Sequence, residues 1–233
     1  MNTDSFISLL QFSDGLFPAG AYAHSFGLEY YVQSGEVRDA SGVRDFIQAN
    51  LEGSLATADA VAMLCAFQAA QENDLKAVLS LDQMIDAMKP IAELRNASRQ
   101  MGRQTIRVAA SLLDNTLLRD YFQKVDAGKS PGHHPAAFGV VGGLLGWSRG
   151  DAAQAYLYAA SAAITGASLR LLPLGQMAGQ RILWELTPLI ARLASHAQEK
   201  TAAQDVSAMW SFVPGLEIAS MQHAKLDARL FRS

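Results

Sequence analysis

The sequence predicts an all-α fold, a single-domain multi-helix bundle of about ten helices over residues 1–233. Valine, isoleucine and threonine are sparse beside alanine and leucine, which favours helix over strand. No segment alternates apolar and polar residues over strand length, whereas apolar residues recur at three- and four-residue steps through much of the chain.

The elements can be justified in order. Asp14 to Glu29 reads D-G-L-F-P-A-G-A-Y-A-H-S-F-G-L-E, the densest mixture of glycine, proline, aromatic rings and histidine in the chain. Gly15 and Gly20 permit positive φ and Pro18 restrains Phe17, after which Ala23 to Gln33 is helix-compatible. Tyr22, His24, Ser25 and Glu29 then stand at the mouth of a helix, either as a tightly packed helix start or as a surface that a partner reads. A helix capped by Ser41 follows, with Val43, Phe46, Ile47, Leu51, Leu55, Ala58, Ala62 and Cys65 as one stripe that Gly53 bends or divides. Asn73 or Asp74 caps the next helix, whose buried side holds Leu75, Val78, Leu79, Met84 and Ile85, and Pro90 ends it.

Ile91 to Leu113 places Arg95, Arg99, Arg103 and Arg107 along one edge, read as solvated charge or as a docking edge for an acidic partner. Asp126 to Pro131 is the most loop-like stretch. Helix starts are suggested at Pro135, Asp151, Pro173 and Pro188. Gly139, Gly142, Gly143 and Gly146 would let another helix approach closely, inside the molecule or across an oligomer seam.

Composition narrows the function. A formal charge of −3 and a pI near 5.9 give no basic field and argue against nucleic acid as a partner. Cys65 is the only cysteine, so neither an intrachain disulfide nor a thiolate ligand set exists. Met1 to Gln11 contains Asp4 and lacks a cationic start followed by an apolar block, which predicts a cytoplasmic protein. Pro135–Trp147 and Tyr156–Leu169 are the most apolar stretches and are too short to span a membrane.

Catalytic motifs are scarce. Gly128-Lys129-Ser130 imitates the end of a phosphate loop, but position 123 is Gln rather than Gly and no apolar strand precedes it. His133 and His134 precede Pro135, which suits a first helical turn, and adjacent residues do not form a two-ligand metal site by themselves. His223 and Asp227 are one turn apart and read as a solvated ion pair. Neither a G-x-S-x-G elbow nor an H-E-x-x-H pair occurs, so no catalytic residue, metal site or cofactor is expected.

Five segments in order resemble the urease accessory protein UreF family: Phe17 to Glu29, Glu93 to Gly102 (E-L-R-x-A-S-R-x-M-G), Gly132 to Gly139 (G-H-H-P-x-x-F-G), Leu169 to Gln180 (L-R-L-L-P-L-G-Q-x-x-G-Q) and Met221 to Ser233. The resemblance implies a non-enzymatic helical protein that dimerises, binds UreD (UreH) and recruits the nickel-carrying GTPase UreG to load nickel into the urease apoprotein. Under an alternative, it regulates the GTPase through a surface arginine, Arg170. By the same similarity, Tyr22, His24, Ser25, Glu29, Arg170, Gln176 and Gln180 are partner-binding. So are Leu230, Phe231, Arg232 and Ser233, in a tail near 227–233 that UreD orders. Gly139, Gly143, Tyr156 and Tyr158 are the expected dimer seam.

Overall fold

The computed structural model describes residues 3–201 and 206–233, and no strand occurs among them. The helices are α1 (Thr3–Ser13), α2 (Leu28–Gln33), α3 (Ala40–Asn50), α4 (Ala60–Gln71), α5 (Leu75–Met88), α6 (Ala92–Leu112), α7 (Thr116–Asp126), α8 (His134–Leu144), α9 (Arg149–Leu171), α10 (Gln176–Lys200) and α11 (Pro214–His223). A π-helical stretch, Leu51–Asp59, joins α3 to α4 in one continuous rod, so the described residues contain ten separate helical rods. The all-α expectation holds.

Gly53 neither breaks nor ends the rod but lies in its widened part. There the carbonyls of Gly53 and Thr57 accept from the main-chain N–H groups of Phe212 (2.8 Å) and Trp210 (3.2 Å), so the π-turns coincide with backbone acceptors used by another segment. The rod Ala40–Gln71 is long and apolar enough to cross a membrane by composition, yet 72% of its most apolar window is buried within the protein. It is the central core element.

α4 is buried on almost every side, with α8 against it and α5, α9 and α10 completing the enclosure. Its alternation of Ala60, Ala62, Ala66, Ala69 and Ala70 with Met63, Leu64 and Phe67 keeps its surface low enough for a close neighbour. That neighbour is the glycine face of α8: a Cβ on Gly139 would collide with the carbonyl of Met63, and one on Gly143 with that of Phe67. The glycines proposed for a dimer seam are therefore used inside the molecule. Tyr156 is internal too, 4% exposed, with its ring edge-on to Phe138.

Several starts and stops differ from expectation. The cap of α3 is Asp39, which accepts from Gly42 N at 2.9 Å; Ser41 sits inside the first turn. Asp74 caps α5 as expected, accepting from Ala77 N. Pro188 starts nothing: it lies within α10 on an exposed side, where the carbonyl of Trp184 that loses its partner can be served by water. α1 and α7 are additional to the elements expected from sequence; Asn115 caps α7, and Leu117, Leu118, Tyr121 and Val125 form its buried stripe.

Candidate partner-binding site

The glycine- and aromatic-rich segment folds into a tight hook. Gly20 (φ 88), Phe26 (φ 54) and Gly27 (φ 85) adopt left-handed conformations, and Gly27 also leaves room for Leu216 and Ser220 of α11. The turn aims successive donors at one acceptor: Ser25 N (2.6 Å), Phe26 N (3.0 Å) and Ser25 Oγ (2.8 Å) all donate to the main-chain oxygen of Ser233. His24 Nδ1 lies 2.8 Å from Ser233 Oγ, and Arg232 N donates to Ala23 O at 2.9 Å.

Glu29 secures the preceding turn of the tail. Its Oε1 accepts from Leu230 N (2.7 Å) and its Oε2 from Phe231 N (3.0 Å), while His223 Nε2 lies 2.9 Å from Oε2. On its other side His223 Nδ1 meets Glu93 Oε2 at 2.8 Å, and Arg229 reaches Glu93 Oε1 at 3.3 Å. Three helices and the tail are thus joined through one imidazole that is fully buried. A solvated pair of His223 with Asp227 does not form, because the ring faces inward.

Arg170, from the end of α9, completes the clamp without a carboxylate. Its guanidinium lies 3.7 Å from the Tyr22 ring centroid and 4.0 Å from that of Phe231, and it donates to the Tyr22 carbonyl. Phe231 is 4% exposed and Ser233 1% exposed, so the tail is ordered by this chain's own residues, not only by a partner. His24, Ser25 and Glu29, expected at the surface, are buried at 2%, 0% and 1%. Their polar groups are turned inward by the hook. Tyr22, Leu230 and Arg232 remain exposed around the clamp, as do Gln176 and Gln180 at the start of α10, which take no part in it.

The H-H-P segment is likewise internal. Asp82 accepts from Ser130 Oγ, Gly132 N (2.7 Å) and His133 N (2.8 Å), and His133 bridges Ser98 (3.0 Å) and Asp86 (2.8 Å). Burial would raise the Asp86 carboxyl, but bonds from His133 and Arg99 outweigh it and hold the group below its ordinary value. Of the four arginines on α6, Arg95 donates to the Lys89 and Pro90 carbonyls, Arg99 pairs with Asp86 on α5 and Arg103 donates to Pro131 O, so three of them secure neighbouring backbone or α5, while Arg107 is exposed. Among the described residues no group of three His, Cys, Asp or Glu side chains is placed to hold a metal ion.

The UreF family pattern matches residues 37–187, well over half of the chain. The chain belongs to the UreF family. Proteins named urease accessory protein UreF resemble it almost end to end: one from Paenarthrobacter aurescens (strain TC1) is 35% identical over 227 residues, covering 97% of each chain. Another from Bacillus sp. (strain TB-90) is 31% identical, covering 97% of this chain and 98% of its own. A third from Trichodesmium erythraeum (strain IMS101) is 33% identical over 225 residues, 97% of this chain and 95% of its own. The hook and the tail both lie outside the span matched by the UreF pattern, yet they are the two parts of the chain that the clamp joins.

Burial makes this UreF-family chain sensitive to acid. His24 is pushed down to about 4 by burial and then by the Arg232 charge, and His134 to about 4 chiefly by burial. Both values lie below the 6.5 of the unfolded chain, so the stability linked to them is complete above 6.5 and is lost as pH falls from there towards 4. Thermal melts at pH 7 and pH 4.5 should differ by up to about 5 kcal/mol from these two residues together. His24→Gln should reduce the difference; an identical acid loss in that variant would exclude His24 as a contributor.

Proposed function

We propose that this chain acts in urease maturation as a non-catalytic scaffold: a cytoplasmic homodimer that binds UreD (UreH), recruits the nickel-carrying GTPase UreG and presents both to the urease apoprotein. The observation that carries the reading is the clamp, which brings segments more than 190 residues apart into one exposed surface. In this reading Tyr22, Leu230 and Arg232 touch a partner. His24, Ser25, Glu29, Phe231 and Ser233 serve it indirectly by fixing the backbone that carries those three, and Gln176 and Gln180 extend the surface along α10. Tyr158, 45% exposed on α9, is the residue of the expected dimer seam that remains available to a second copy.

The alternative, Arg170 as an arginine supplied to the GTPase, is disfavoured by its sandwich between Tyr22 and Phe231. An arginine that enters a nucleotide site must be free to leave its resting contacts. Scaffold action predicts that co-expression with UreD and UreG yields a ternary complex that co-elutes on size exclusion. A Leu230→Asp/Arg232→Glu variant, altered at exposed side chains alone, should keep its melting temperature and bind at least tenfold more weakly. Absence of the wild-type complex with both partners folded, or undiminished binding by the variant, would overturn the proposal.

A further inference from the structure

Beside the clamp lies a cavity of about 320 Å³. Engineered apolar cavities of about 150 Å³ admit benzene, so this one has room for a two-ring molecule. Gly15 and Tyr22, both exposed, mark its mouth. Its walls are largely apolar: Phe12, Phe17 and Phe138 line it together with Ile164 and small side chains of α9, among them Ala160 and Ala163.

Three observations make it more than a packing defect. The π-helical stretch supplies Ser54, Leu55 and Asp59 to the lining, and π-turns, with their poorer hydrogen-bond geometry, recur at functional sites. Part of the polar lining also forms one cluster: Lys89 Nζ lies 2.7 Å from Asp59 Oδ1, and the Tyr156 hydroxyl donates to Asp59 Oδ2 at 3.3 Å. Finally, His134 lines the cavity and stacks on Tyr156 with centroids 5.4 Å apart, yet among the described residues its ring takes part in no hydrogen bond. Every other polar head of the cluster has a partner. The open position is an imidazole with one donor and one acceptor to offer.

We propose that this cavity binds a small neutral amphiphile, with an aromatic or aliphatic body against the phenylalanine wall and a single hydroxyl or carboxamide head at His134. The charge balance selects a neutral head. At the His134 end Lys89 is already paired with Asp59, so an anionic head there would meet the Asp59 carboxylate and a cationic head would compete with Lys89 for it, while Arg170, the other cation of the lining, is held between the Tyr22 and Phe231 rings. The site shares Tyr22, at its mouth, with the surface assigned to partners, but His134 and α9's alanines lie outside that surface, so binding of a small molecule can be tested on the isolated chain.

The test uses the full chain and 2-naphthol, whose ring system and hydroxyl suit the two parts of the site. Calorimetric titration should give saturable binding at one site. Sodium 2-naphthoate, with the same body and an anionic head, should bind at least tenfold more weakly. His134→Phe, which keeps the stack on Tyr156, should weaken 2-naphthol about fivefold, the worth of one hydrogen bond. Ala163→Trp should fill the space and abolish binding, with the melting temperature unchanged or raised. Lack of saturable binding to the wild type, unchanged binding by Ala163→Trp, or equal affinity for 2-naphthoate would overturn the proposal. So would a wild type that ignores 2-naphthol while Ala163→Trp changes the oligomeric mass, since that pair of results assigns the cavity to a side chain of another protein molecule.

Discussion

Gly139→Ala combined with Gly143→Ala should prevent the chain from reaching its native fold. The two methyl groups would be added on the side of α8 that meets α4, directly against the carbonyl oxygens of Met63 and Phe67 and the methyls of Ala66 and Ala70. Flexible side chains can move aside; a helix backbone in the middle of the core cannot. Alanine is otherwise the better helix former by about 1 kcal/mol per site, so propensity alone predicts stabilisation. Overpacking costs typically 1–3 kcal/mol even where side chains can adjust, and here two such insertions strike backbone, so a loss of about 5 kcal/mol or more for the pair is expected. That approaches the whole stability of an ordinary domain. Circular dichroism and thermal melts read the outcome, with Gly166→Ala as control: it lies on an exposed side of α9 with no atom near its Cβ position and should be neutral or stabilising. A double variant melting like the wild type would mean that α8 and α4 do not pack through these glycines.

The same residues show how far the sequence could be read. Glycines at helical spacing announce close helix approach, which α8 and α4 bear out; which helix approaches is a long-range question that local spacing cannot answer, and here the approach is internal rather than across a dimer seam. Periodicity exposes the stripes of α3 and α5 because burial on one face leaves a 3.6-residue repeat. It said least about α8, which is buried nearly all round and has no polar face to contrast with. Pro188 misled because a proline usually marks a helix start or stop, whereas solvent on its side of α10 lets the helix continue.

Polar residues were harder still. Asp82 falls on the buried side of α5 between Val78 and Ile85, and a carboxylate at such a register must be met by donors. That signal was present and pointed to a clamped loop, although nothing local identified Ser130, Gly132 and His133 as the donors. His24 and Glu29 stand in a segment whose turn residues suggest presentation to solvent. Their inward orientation follows from the left-handed turn at Phe26 and Gly27 and from a tail about two hundred residues away along the chain. Only the assembled fold brings these together.

Glu29→Gln should release that tail. The substitution preserves size and removes one acceptor, so it separates charge and hydrogen bonding from packing. In the native protein both carboxylate oxygens are occupied, one by Leu230 N and the other by Phe231 N and His223 Nε2. A glutamine has a single oxygen, and its NH₂ group must point at a backbone donor or at the imidazole, placing donor against donor. Leaving a buried donor without an acceptor costs about 1–3 kcal/mol, and the lost charge deprives His223 of one of its two carboxylates. Against this, burying the Phe231 ring contributes about 2 kcal/mol, and the ordering entropy of the tail opposes docking, so the clamp is expected to open. Hydrogen exchange should then show loss of protection at Leu230 and Phe231 by at least an order of magnitude, with the amides of α4 and α8 unchanged. Opening also removes Phe231 from the Arg170 guanidinium and leaves Tyr22 as its sole ring contact, so assembly with UreD and UreG should weaken although no exposed partner residue has been altered. A tail whose exchange is the same in Glu29→Gln as in the wild type would show that ring packing, not the Glu29 carboxylate, fastens it.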